Sequence, residues 1–473
     1  MISFIISVIA LVLGYFFYSK IAEKAFAVDG NNPVPSKTLS DGLDFVEMPT
    51  WRAFLIQFLN IAGTGPIFGA IAGAMWGANA FLWIVFGCIF GGAIHDFSVG
   101  VMSIRSGGAS FSELAGENLG ESARKVIVAF SVVLLLLVGV VFVSSPADLL
   151  TSLTGINRWY FIAIIFVYYI IATVVPIDKV IGKIYPIFGL ALILMAVGII
   201  GGMVFNGMIL QIPEIDFTNP HVEGKSIFPY LFISIACGAI SGFHATQSPM
   251  MARCVKSESE SRKVFYGAMI AEGLIALIWA AAAMTFFGSL EGLASAGAAS
   301  VVVGTISQGL LGTAGMVLAV LGVVACPITS GDTAFRSLRM TVADAFKIDQ
   351  SKKRNRYIIV APVFAVALCL LFIDFTIIWR YFSWSNQTLA TIALWTAAVY
   401  LKKRDSNFWI ALIPAMFMTV VCTCYILVAP EGFYGLITKL LTLEQAEVAG
   451  TIIGVCLSAF STVLFFVKTK KAE

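Results

Sequence analysis

The stretch Leu59-Asn60-Ile61-Ala62-Gly63-Thr64-Gly65-Pro66-Ile67-Phe68-Gly69 sets three glycines, a proline and two small polar residues inside an apolar segment long enough to cross a bilayer. A regular helix is not expected to run through it. In hydrocarbon such a break survives only where protein or a cavity covers the freed N–H and C=O groups. Pro66 suits the first position of a new helix with Gly65 or Thr64 as its cap. The half-helix that follows would aim its N–H groups and positive end at Gly63, Thr64 and Gly65, a seat for a carboxylate. Carbonyls near Ile61 and Ala62 would face the same gap and favour a cation. The run from Ala236 to Thr246 repeats the signature and makes Ser241, Gly242, Phe243 and His244 the matching substrate-binding candidates.

A third stretch, Cys326-Pro327-Ile328-Thr329-Ser330-Gly331-Asp332-Thr333, offers oxygens to a cation. On a helix the carbonyl of Cys326 and the hydroxyls of Thr329 and Ser330 share a face, and with Ala62 they form a candidate site for Na⁺. The same hydroxyls also suit plain bonding to their own helix, where Pro327 frees a carbonyl. Ionisable groups at membrane depth are His95, Asp96, His244, Glu272 and Asp332. Burying them is costly, so they are candidates for gating or proton coupling; the alternatives are neutral struts between helices or a metal site, although no HExxH-type spacing is present. Asn386 and Gln387 follow Trp379, Arg380, Tyr381 and Trp384, a setting that reads either as an interfacial aromatic belt or as the lining of an outer vestibule.

These groups need a membrane-embedded helical frame to hold them. The 473 residues are 59% hydrophobic and 12% charged, with a mean hydropathy of +0.93, which marks a polytopic membrane protein and leaves nucleic acid out of consideration. The eight cysteines lie mostly in apolar runs and read as small hydrophobes rather than a disulfide framework. The first apolar run, Ile2 to Tyr18, lacks a basic leader and a cleavage site and reads as a retained helix. Thirteen spans are expected, near 2–20, 53–75, 80–104, 124–150, 158–176, 182–206, 227–250, 262–287, 312–345, 357–374, 379–400, 407–428 and 449–468. Of the 30 Lys and Arg, 26 follow odd-numbered spans, which predicts an outside N-terminus and a cytoplasmic C-terminus.

With the first span set aside, the two glycine-rich breaks fall on the first and sixth of ten core helices and run in opposite directions, as an inverted repeat requires. The expected organisation is an extra N-terminal helix and cytoplasmic arm over 1–52, five-helix repeats over 53–206 and 227–400, and two C-terminal helices over 401–473. The Gly- and Ala-rich segment 288–311 reads as an external re-entrant or surface helix.

Taken together, Asn60–Pro66, Gly92–Phe97, Ser103–Ser110, Ser241–Ala245, Pro327–Ser337 and Trp379–Gln387 resemble the carbon starvation protein A (CstA) family over about residues 40 to 400. The resemblance implies a bacterial inner-membrane transporter with a LeuT-type fold, linked to uptake of peptides and, in relatives, pyruvate during nutrient limitation. It also implies that the Cys326, Thr329 and Ser330 face is similar to the sodium site of LeuT-type carriers, with H⁺ as the other coupling ion. The chain is shorter than the long members of the family. The expected function is a secondary active importer of peptides, amino acids or keto acids, with no enzymatic activity and no cofactor beyond Na⁺ or H⁺. Its rivals are a channel, a metal-containing intramembrane protein and a starvation solute sensor.

Overall fold

Side chains this apolar leave most of the backbone no water to bond, so it pairs with itself along helices. The computed structural model is all-α. It describes residues 1–42, 44–172, 177–350, 352–437 and 439–469, with backbone alone for 177–186 and 353. The long helices are α1 (Ile2–Phe26), the bent pair α2 (Thr50–Ile61) and α3 (Thr64–Trp76), α4 (Asn79–Arg105), α5 (Glu121–Thr154), α6 (Arg158–Ala172) and α7 (Ile177–Phe205). After a short turn of helix at Phe232–Ser234 come α8 (Phe243–Ala252), α9 (Glu258–Phe286), α10 (Ala325–Phe346), α11 (Lys353–Leu370), α12 (Phe375–Lys402), α13 (Trp409–Val428) and α14 (Leu443–Lys468).

Among the described residues, eight helices are long and apolar enough to span a bilayer, or nine if the bent pair is one span. The expectation of thirteen exceeds this. The other four expected spans fall on α6, described over 15 residues; on the interrupted run ending in α8; and on α11 and α12, which carry charged or polar residues. The last residues of the expected span 158–176 lie outside the described ones. The 48-residue apolar run Ala299–Phe346 is broken at Gly312 (φ 57°, ψ −142°), so its upstream helix is separate from the helix that continues into α10.

Burial sorts the helices into core and rim. The most apolar windows of α4 and α9 are each 83% buried, whereas those of α1 and α14 are 28% and 22% buried. The former form the centre and the latter turn apolar faces outward, as lipid requires. α3 packs on α9, α8 on α4, and α5 along α10, so both breaks lie against core helices. At one end of α4, Arg105 pairs with the buried Glu258 at 2.5 Å and also donates to the Tyr400 hydroxyl (3.2 Å) and the Phe26 carbonyl (2.7 Å). That one side chain ties α1, α4, α9 and α12 together.

Candidate functional site

The first break is short. Ala62 leaves the helix (φ −80°, ψ 45°), Gly63 caps the next one, and α3 begins at Thr64, bent by 49° from α2. Pro66 is the third residue of α3 rather than its first, two positions later than expected. The first-turn N–H groups of a helix have no partner within it, so proline is tolerated there as well. The second break is wider: Ile235 departs from helix (φ −88°, ψ 73°) and regular helix resumes at Phe243.

The two breaks touch. A Cβ added to Gly65 would stand 2.3 Å from Cys237 Sγ and 2.5 Å from its Cβ, so only glycine allows this approach. Thr64 accepts from Ser145 on α5 at 3.4 Å. Phe142 of α5 and Phe243 meet edge to face, 5.7 Å between ring centres, at the same level.

Asn386 and Gln387 are both fully buried and are committed to the second break. Asn386 Oδ1 accepts from Phe243 N (2.7 Å) and Ser241 Oγ (3.1 Å), which caps α8, while its backbone carbonyl accepts from Gly242 N (3.0 Å). Gln387 Nε2 donates to the carbonyls of Phe232 (3.2 Å), Ile235 (3.4 Å) and Ala236 (3.3 Å), at the end of the preceding half-helix. Asn386→Leu keeps the size but orphans the buried Phe243 N–H, at a cost of about 1–3 kcal/mol. Melting of the purified protein in detergent should fall for Asn386→Leu and stay nearer the parent for Asn386→Asp, which retains the acceptor.

The cation candidates come together only in part. Ser330 Oγ reaches the Leu59 carbonyl across the break at 3.2 Å. The Ala62 carbonyl, however, accepts from the Cys326 thiol at 2.7 Å, and the hydroxyls of Thr329 (2.7 Å) and Ser330 (3.0 Å) both turn back to the Cys326 carbonyl. A hard ion such as Na⁺ prefers oxygen, so this set fits it only once the thiol has moved aside.

The ionisable candidates assemble more fully. His95 Nδ1 lies 2.8 Å from Asp96 Oδ1, His244 Nδ1 lies 3.0 Å from Asp96 Oδ2, and His244 Nε2 lies 3.5 Å from Glu272 Oε2, with all four side chains at 0% exposure. This is a linear chain from α4 through the first turn of α8 to α9. It does not converge on a point, and among the described residues no three His, Cys, Asp or Glu side chains are grouped to hold a metal. Only the Asp96 contact of His244 is a hydrogen bond; His244 Nε2 and both carboxyl oxygens of Glu272 have no hydrogen-bond partner among the described residues. Asp332 stands apart, 3.8 Å from Arg336 one turn along α10.

Sequence reasoning overlooked Tyr169 on α6. Its hydroxyl lies 2.9 Å from the Phe142 carbonyl and 3.1 Å from that of Pro327. Pro146, four residues after Phe142, has no N–H to occupy that first carbonyl, which is the one signal in the sequence that a partner is needed. Gly331 makes room, because a Cβ there would lie 2.1 Å from the Tyr169 oxygen.

The paired breaks and the buried His95–Asp96–His244–Glu272 chain thus sit together in the core of an all-helical frame. The family profile for "Carbon starvation protein CstA" matches residues 1–154, 143–291 and 287–425. The chain belongs to the CstA family. A Haemophilus influenzae relative, an uncharacterized membrane protein, is 42% identical over 63% of this chain and 94% of its own length. A "Peptide transporter CstA" of Campylobacter jejuni is 31% identical over 56% of this chain, and the Escherichia coli "Pyruvate/proton symporter BtsT" is 27% identical over 58%. The match spans 47% of each of those two longer proteins. Two solved transporters of LeuT fold match the CstA-family chain at low identity. MhsT in complex with L-phenylalanine gives a TM-score of 0.55 at 13% identity over 88% of this chain and 98% of its own, and Mhp1 gives 0.54 at 14% over 94% and 98%. This likeness shows the fold: a LeuT-type core whose first and sixth core helices are discontinuous.

Proposed function

We propose that this CstA-family protein is a proton-coupled secondary carrier that imports small carboxylates, either keto acids such as pyruvate or short peptides, across the bacterial inner membrane under nutrient limitation. In this reading its N-terminus is outside, its C-terminus is cytoplasmic, and two five-helix repeats rock about the breaks. The observation that carries the reading is the position of His244. It sits on the first turn after the second break and touches Asp96 and Glu272 at once. A proton gained or lost there changes the charge against the segment that would hold cargo. A ligand shifts a conformational balance only by its differential affinity for the two states, and a buried charge supplies a large difference.

Substrate would meet the N–H ends of α3 and α8 near Gly63, Thr64 and Gly65 and near Ser241 to His244. Sodium is the second reading, favoured by the approach of Ser330 to the Leu59 carbonyl. Proteoliposome uptake of labelled pyruvate and labelled dialanine, each with a proton or a sodium gradient imposed, tests both. The expectation is uptake driven by a proton gradient in sodium-free buffer. Thr329→Ala combined with Ser330→Ala should remove any sodium stimulation and leave the proton-driven component in place. Accumulation that needs sodium and ignores pH would overturn the proton reading, and failure to accumulate either solute would point to a channel or a sensor.

A further inference from the structure

Beyond the breaks, one buried cation has no assigned task. Arg253 follows the last residue of α8 and is 9% exposed. Its Nε donates to the Gly108 carbonyl at 2.8 Å, its Nη1 donates to Met340 Sδ at 3.7 Å, and its guanidinium carbon lies 5.1 Å over the Phe45 ring. Among the described residues no carboxylate oxygen approaches it within ion-pairing distance, although a buried guanidinium ordinarily has such a partner.

Arg253 borders two spaces. On one side is a cavity of ≈ 20 Å³, room for about one water, whose hydroxyl lining comes from Ser110, Ser112, Ser131, Thr246, Ser337 and Thr341. Thr246, Pro249 and Met250 of α8, the helix that carries His244, also line it. The Ser131 hydroxyl, on a residue 2% exposed, has no hydrogen-bond partner there. On the other side is an open basin of ≈ 580 Å³ bordered by Glu113, Glu117, Glu121 and Asp344 against Arg124 and Arg253. A guanidinium with spare N–H groups beside an unsatisfied hydroxyl is equipped for a carboxylate, and the acidic rim beyond would not retain one.

We propose that Arg253, with Ser131, forms a second, transient carboxylate-binding site on the route between the breaks and the basin, closed down to a water-sized space in this conformation. The site receives the cargo's carboxylate as the route widens and hands it to an acidic mouth that releases it. The inference rests on the carboxylate-carrier reading above. It predicts asymmetry: Arg253 acts on cargo met from the basin side, not on cargo entering from the opposite face.

The test measures KM for labelled pyruvate and labelled dialanine from each face, using inside-out and right-side-out membrane vesicles, with gradient-free exchange as the readout. Arg253→Gln should raise KM from the basin face by about ten-fold, the scale of one lost charge-assisted hydrogen bond, and leave the opposite face within about two-fold. Arg253→Lys, which keeps the charge but not the planar fork, should fall between. Ser131→Ala breaks no existing bond and should raise only the basin-face KM by about two- to three-fold, which keeps the test valid if Arg253→Gln fails to fold. Wild-type exchange combined with unchanged basin-face KM in Ser131→Ala and Arg253→Lys overturns this site alone. Wild-type protein that exchanges neither probe overturns the carboxylate reading and this site with it.

Discussion

Glu272→Gln should abolish concentrative uptake while leaving exchange intact. A one-proton carrier facing a one-unit pH gradient can accumulate a monocarboxylate by about ten-fold, since one pH unit is worth about 1.36 kcal/mol. Glutamine has nearly the same shape but carries no ionisable proton, so the variant should equilibrate labelled pyruvate across the vesicle without exceeding the outside concentration. The substitution leaves the His95–Asp96–His244 part of the chain in place, with contacts of 2.8 and 3.0 Å. Removal of Asp96 or His244 would instead strand a buried charge, at a cost of about 3–5 kcal/mol, and confuse uncoupling with unfolding. Glu272→Gln protein that still accumulates cargo under a proton gradient would remove this chain from the coupling mechanism.

Gly65→Ala should sharply lower both stability and transport. The new Cβ would fall 2.3 Å from Cys237 Sγ and 2.5 Å from Cys237 Cβ, far inside contact distance, and overpacking of this kind costs about 1–3 kcal/mol or more. The break cannot yield cheaply, because Cys237 is held beside Ser241 and Asn386. Cys237→Gly removes both clashing atoms, so the double variant should regain most of the thermal stability and transport lost by Gly65→Ala alone. Such recovery is the signature of two residues in direct contact. If Gly65→Ala melts and transports like the parent, the two breaks do not meet as described.

Much of this frame can be read from residues alone, for an identifiable reason. Glycine and proline inside an apolar run announce unpaired backbone wherever they occur, and the breaks at Gly63 and before Phe243 follow from that requirement. His95, Asp96, His244 and Glu272 stood out because ionisable groups at membrane depth are expensive. Their linkage into one chain involves contacts up to 148 positions apart in sequence, and no local pattern encodes it. Asn386 and Gln387 illustrate the same limit: an amide in an apolar helix signals that something must be satisfied, not that the something is two helix ends. Tyr169 carried no signal of its own, because a tyrosine among aromatics in α6 reads as packing until the carbonyl freed by Pro146 is located in space. The span count differed because hydropathy measures lipid exposure, and α12 is buried in protein, where polar residues are tolerated.

Asn386 and Gln387 are joined by a single peptide bond, yet one grips the stub that ends at Ser234 and the other the stub that begins at Phe243. The interruption is therefore splinted: both fragments are bolted to adjacent points on one rigid bar, and neither can swing without the other. When α12 tilts, the pair must ride along as a single body, and any pivoting during the transport cycle has to be taken up elsewhere in the molecule.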